Sequence, residues 1–214
     1  MGEDQKLVYV ILSVVISALA FIPYFIETWK VGGVHDTRPT VSGFVCWVLT
    51  DIVIFAVMVT KGEISWQMVP YIVGALILIG LCVRKSLLIA KLRGESGSLR
   101  DAFSDWCRRD TLCLASVVAA IAVWAINRNP DYAIYLTIFS FSVGTYAIVV
   151  PLIKNPRTES MFAWGMFLLG GLFGVAAIPA WTVTGALVPI YFAVMQAMMF
   201  VLCARRYQRK FVAA

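Results

Sequence analysis

The sequence predicts an all-α polytopic membrane protein, with seven transmembrane helices forming two parallel three-helix repeats joined by a linker helix. Three observations lead there. Hydrophobic residues make up 61% of the 214 and charged residues 14%, too few charges to coat a soluble globule of this length. The apolar residues gather into seven stretches, 7–29, 40–60, 67–83, 111–127, 132–150, 161–178 and 182–204. Each is near the ~20 residues that an α-helix needs to cross a ~30 Å hydrocarbon core. If all seven span, fifteen of the eighteen Lys and Arg residues fall on one side, leaving only Lys6, Lys61 and Arg128 on the other. The positive-inside bias makes the rich side cytoplasmic, with the N-terminus outside and the C-terminus inside.

The first stretch contains Ala18-Leu19-Ala20, which looks like a signal-peptidase site. Its leader is acidic at Glu3 and Asp4, and the apolar run continues through Ile26, so a retained helix is expected. The second and third stretches have counterparts in the sixth and seventh. Pro39 precedes Trp47 by eight residues, and Pro156 precedes Trp164 by eight. Trp47 and Trp164 are 117 apart, Pro70 and Pro189 are 119 apart, and Lys85 and Arg206 are 121 apart. Near-constant offsets imply a duplicated unit. The expected organisation is a first triplet at 1–83, a basic cytoplasmic loop at 84–110, a linker helix at 111–127, a second triplet at 128–207 and a basic tail at 208–214. The fourth stretch has few polar groups, as a lipid-facing linker would. It returns the chain to its starting side, so both triplets share one orientation, a recurrent transporter plan with the solute path between the bundles. The loop at 84–110 carries Leu87, Leu88, Phe103 and Trp106 among its charges, which suits interfacial helical segments, with a flexible break at 94–98.

Pro23 and Pro151 on the first helix of each triplet, the matched segments running to Trp47 and Trp164, and the three-one-three order with an outside N-terminus carry a resemblance. The chain resembles the SWEET and PQ-loop superfamily of seven-helix membrane proteins, and the KDEL-receptor branch has a similar layout. The Pro-Gln dipeptide of that superfamily is absent, replaced by Pro23-Tyr24 and Pro151-Leu152. The resemblance implies a seven-helix architecture and a small solute.

Asp51 is the sharpest candidate for chemistry. It lies midway along the second stretch, where an ionisable group costs roughly 2.5–3.5 kcal/mol on insertion scales and normally faces the bundle interior. It reads as a proton-coupling carboxylate, a cation site or a partner for a polar solute, against a purely interhelical hydrogen bond. Trp47 sits one helical turn away on the same face. Trp47 and Trp164 either flank a solute or anchor the helices at the interface. Gln196 is a further polar candidate for the same cavity, against a helix-to-helix hydrogen bond. Ser140, Ser142, Thr145 and Tyr146 bring hydroxyls to the fifth stretch, where Ser and Thr commonly bond back to their own helix. Pro23, Pro70, Pro151 and Pro189 each remove a backbone donor, either hinging a gating motion or making static bends. The Gly170–Gly174 pair permits close helix approach, first of all within one chain. Glu27 with Lys30, and Lys154 with Arg157 and Glu159, are charges suited to a cytoplasmic gate or to solvated helix ends.

Other classes find little support. The last stretch contains no Lys for a retinal Schiff base, His35 is the only histidine, and no Gly-rich phosphate loop appears. Asp51 is the only acid deep in a span, so an enzyme is not expected, nor is a cofactor or a metal site. The five cysteines, Cys46, Cys82, Cys107, Cys113 and Cys203, show no paired spacing and read as packing residues. The net charge of +6 is gathered at helix ends and in one loop, which favours anionic lipid headgroups over nucleic acid. The expected function is facilitated or proton-coupled movement of a small polar solute in a plasma or bacterial inner membrane, by a monomer or homo-oligomer. A ligand-binding receptor and a homo-oligomeric ion channel are the alternatives.

Overall fold

A computed structural model describes residues 2–30, 41–62, 64, 66–92, 94, 106, 108–127, 129–156, 158–178 and 181–212. The segment 31–40 with His35 and Pro39, the loop positions 95–105, Cys107 and Arg157 lie outside the described residues, as do the expectations placed on them. The described residues form seven helices: α1 (Glu3–Trp29), α2 (Val41–Lys61), α3 (Met68–Leu92), α4 (Arg108–Asn127), α5 (Pro130–Lys154), α6 (Met161–Ala176) and α7 (Val183–Val212).

Six are long and apolar enough to cross a membrane; α6, at 16 residues, is the short one. Seven comparable spans were the expectation. At 1.5 Å per residue α6 covers about 24 Å, less than a ~30 Å hydrocarbon core. Its ends explain its length. Ser160 caps the start, its side chain accepting from the Ala163 amide at 3.3 Å. At the other end Pro179 disfavours helical backbone at Ile178, and Ala177 closes the helix with its amide on the Phe173 carbonyl at 2.9 Å.

Two helices outrun the sequence reading. α3 continues past Val83 to Leu92, so the first residues of the expected loop are helical. Its basic residues extend the helix rather than ending it, because their stems lie along apolar surface. The Arg84 guanidinium packs 3.6 Å from the centre of the Trp29 ring. The stop comes at Gly94, whose positive φ of 78° suits a residue without a β-carbon and whose amide reaches the Lys91 carbonyl. α7 likewise runs to Val212, through most of the expected tail.

The helices are apolar outside, and their polar groups are gathered inside among aromatic and aliphatic side chains. On α1, Ser13, Ser17, Phe21, Tyr24 and Thr28 recur at three- and four-residue spacing and are buried. The opposite face shows Leu7, Ile11, Val15, Leu19, Ile22 and Ile26 to the surroundings. α3 does the same, with Tyr71, Leu78 and Cys82 inside and Val73, Leu76 and Ile77 outside, and so does α7, with Gln196, Met199 and Cys203 inside and Val194, Met198 and Val201 outside. Water would not tolerate so continuous an apolar coat; a bilayer requires one. The chain is an integral membrane protein.

The helices close into a ring. α1 packs on α3, α3 on α2, α2 on α5, α5 on α7, α7 on α6, and α6 back on α1, while α4 sits outside against α5 and α2. α4 is fixed by Cys113 and Val117 meeting Cys46 and Ala147, with the Cys113 thiol donating to the Val143 carbonyl at 3.1 Å. Its remaining faces are mostly exposed.

Candidate functional site

The ring surrounds an interior whose lining changes in layers. At the face holding the N-terminus, a vestibule of about 480 Å³ opens between the starts of α1, α3 and α7 and the ends of α2 and α6. Ser13, Gln67, Gly174 and Pro189 are among its walls.

Beneath it lies a hydrogen-bonded layer. The Tyr71 hydroxyl accepts from the side-chain amides of Gln67 and Gln196, both at 2.7 Å, and lies 3.2 Å from the Ser17 hydroxyl. Two acceptor sites and one proton are thereby used, the full capacity of a phenol. Glycines of α6 make the room. A β-carbon at Gly171 would fall on Gln196 Oε1, one at Gly174 on Gln67 Oε1, and one at Gly170 within 3.3 Å of the α1 backbone. The Ser13 hydroxyl also donates to the Gly170 carbonyl at 2.8 Å. The glycine pair thus lets α1 and α6 approach inside one chain, and Gly171 and Gly174 house the two glutamine side chains.

Below this layer a small cavity, with about 30 Å³ open to water, is lined by Trp47, Asp51, Trp164 and Gln196 together with Tyr71 and aromatic rings from α1, α2, α5, α6 and α7. The four residues singled out in the sequence as solute-facing come together here. Asp51 is 3% exposed and its Oδ1 has no hydrogen-bond partner. Trp47 and Trp164 are buried in the ring, not at its rim, so neither is an interface anchor. Trp47 stacks on Phe141 (centroids 5.2 Å, planes 10° apart), meets Trp164 edge-on at 5.7 Å, and donates its indole N–H to Thr145 Oγ1 at 3.2 Å. The rings form a plug under Asp51.

At the far end, Glu159, from the turn before α6, accepts from the Tyr24 hydroxyl on α1 and from the Trp164 indole at 3.1 Å. Glu159 is fully enclosed and is no solvated helix end. Its carboxyl is pushed up to about 7, chiefly by burial and in part by Glu27, against the two hydrogen bonds, which favour the charged form.

The prolines divide. Pro23, Pro151 and Pro189 lie inside helices and remove one intrahelical bond each. Pro70 does not. It is the third residue of α3, where the amide has no intrahelical acceptor, so it costs no bond and makes no kink. On α5, Ser142 and Thr145 bond back to the Ile138 and Phe141 carbonyls, as expected. Ser140 crosses to the Ser116 carbonyl of α4, and Tyr146 points outward.

Sequence reasoning passed over Tyr24, Tyr71, Gln67, Ser13 and Ser17. The α1 residues had a signal, their helical spacing on a face otherwise free of large aliphatic side chains. Gln67 and Tyr71 had only their four-residue spacing, because their other partners sit 50 and 54 residues away on α1 and, for Tyr71, 125 away on α7. No protein-family model, no curated protein and no solved structure matches this chain.

Proposed function

We propose that the chain is a membrane transporter or facilitator that moves a small polar solute between two triple-helix bundles, α1–α3 and α5–α7, with α4 as linker. The observation that carries the reading is the layered interior: a vestibule at the N-terminal face, a hydrogen-bonded layer beneath it, and below that a separate cavity beside Asp51 backed by rings and the Tyr24–Glu159 contact. An inner cavity shut off from both faces, with a vestibule above it, is what alternating access requires of an occluded state. The two-bundle arrangement is supported by the order of packing. Exchanging α1, α2 and α3 for α5, α6 and α7 maps every contact of the ring onto another, as a duplicated unit with a two-fold axis along the membrane normal would. The same order supports the likeness to the SWEET and PQ-loop superfamily. The charge bias supports an outside N-terminus in a plasma or bacterial inner membrane. The path lies within one chain, which disfavours a channel formed on a shared oligomer axis.

The test is uptake into proteoliposomes across a panel of sugars, vitamins and amino acids at two pH values, wild type beside Asp51→Asn. Uptake of one solute class is expected, reduced at least tenfold by the substitution. A folded wild type that moves nothing across the panel would favour a ligand-binding receptor, which needs the pocket but no flux.

A further inference from the structure

We propose that the cavity beside Asp51 receives a positively charged ammonium group, so that the solute is a small amine and not a neutral sugar. The inference rests on reading this cavity as the solute site. Four properties of the cavity carry it.

Asp51 Oδ1 is buried and has no partner in the protein. A carboxylate at membrane depth is costly when unpaired, and a cation offsets that cost through both charge and hydrogen bonding. None of the described residues lining the cavity is a Lys, Arg or His, so none of them supplies a counter-ion there.

The walls supply the second element of cation recognition. Trp47, Phe141, Trp164 and Phe192 line the same cavity as the acid. The negative faces of such rings attract a cation, more strongly where water is excluded. Rings also stack on sugars, but a sugar needs several polar groups to satisfy its hydroxyls. Here the Tyr71 hydroxyl is already shared among Gln67, Gln196 and Ser17, and the buried atoms left without a partner, Asp51 Oδ1 and Gln196 Oε1, are both acceptors, which a donor-only ammonium suits better than a sugar.

Size agrees. About 30 Å³ is room for one water, and therefore for an ammonium head, whereas a hexose ring would have to push the aromatic plug apart. The rest of a small amine would lie toward the vestibule, past the Tyr71 layer, where Gln67 and Ser13 face the opening.

Binding and flux are measured separately. Full-length protein in phosphatidylcholine nanodiscs is titrated with ethylammonium, and with ethanol, glucose and sodium chloride as controls. Tryptophan fluorescence is the readout, because Trp47 and Trp164 both face the cavity. A saturable response to ethylammonium, at least tenfold weaker for ethanol and glucose, is expected. Asp51→Asn should weaken it at least tenfold and Asp51→Glu should restore part of it. The comparison of ethylammonium with ethanol needs no variant, so it stands even if Asp51→Asn does not fold. The proposal is overturned if ethanol or glucose matches ethylammonium, if sodium alone produces the response, or if a folded Asp51→Asn binds like wild type. Glucose uptake without ethylammonium binding would leave transport standing and remove the amine. Ethylammonium binding without flux would do the reverse.

Discussion

Glu159 shows how much one side chain can take from its setting. It is carried by a turn, yet it is enclosed, and two donors from α1 and α6 converge on it. A carboxyl ordinarily near 4.5 that titrates near 7 when folded holds its proton more tightly in the folded state. Its contribution to stability is therefore complete below about 4.5 and is lost as pH rises through about 7. The expected result is a melting temperature that falls between pH 5 and pH 8 in wild type, with a shallower fall in Glu159→Gln, read by thermal unfolding in detergent. Parallel curves would mean that Glu159 does not titrate in this window. Glu159 was visible in the sequence only as a charge near a helix end. Its burial depends on Tyr24, 135 residues away, and no local pattern encodes that meeting. Asp51 and Gln196 were legible because a polar group in an apolar run has few places to face.

Among the elements, the three interior prolines separate from Pro70 on the ordinary rules of helix hydrogen bonding. Pro23 lies one residue before Tyr24, so the weakened turn of α1 adjoins the contact that seals the path. Alanine at Pro23 would restore a backbone bond and stiffen that turn. We expect Pro23→Ala to slow uptake several-fold without lowering the melting temperature. Pro70→Ala gains no intrahelical bond and should change stability by less than ~1 kcal/mol and leave uptake unchanged. Equal effects at the two sites would remove the hinge from the mechanism. The helix centres were legible from hydropathy, because a span must be apolar for about 20 residues. The ends were not. α3 and α7 ran on because Lys and Arg are good helix formers whose stems lie along apolar surface. α6 stopped early because a proline follows Ile178.

For the whole molecule, one open and one sealed face make a directional prediction. The native cysteines at positions 46, 82, 113 and 203 are buried, so in a Cys107→Ser background the thiol signal should be low. A cysteine at Trp66, exposed at the vestibule, should react with a membrane-impermeant maleimide on intact cells. One at Lys154, exposed at the opposite face, should react only after permeabilisation. The opposite pattern would invert the proposed orientation.

Class and chain geometry lay in the sequence because the bilayer is a uniform solvent. It demands apolar length from every span and rewards cations on one side, and both demands are met residue by residue without reference to any other helix. Hence the number of apolar stretches, the centre of each, the inward-facing acid and the repeated offsets of 117 to 121 residues could all be read along the chain. Tertiary packing decided what those residues do to one another. It placed α3 and α7 between their partners, brought Trp47 against Trp164, and turned three glycines of α6 into space for Ser17, Gln67 and Gln196. It also opened a vestibule at one face and filled the interior toward the other with rings. Such contacts join residues from 50 to 157 positions apart, and in a membrane, where apolar surface alone gives helices little reason to prefer one neighbour over another, shape and a few hydrogen bonds select them.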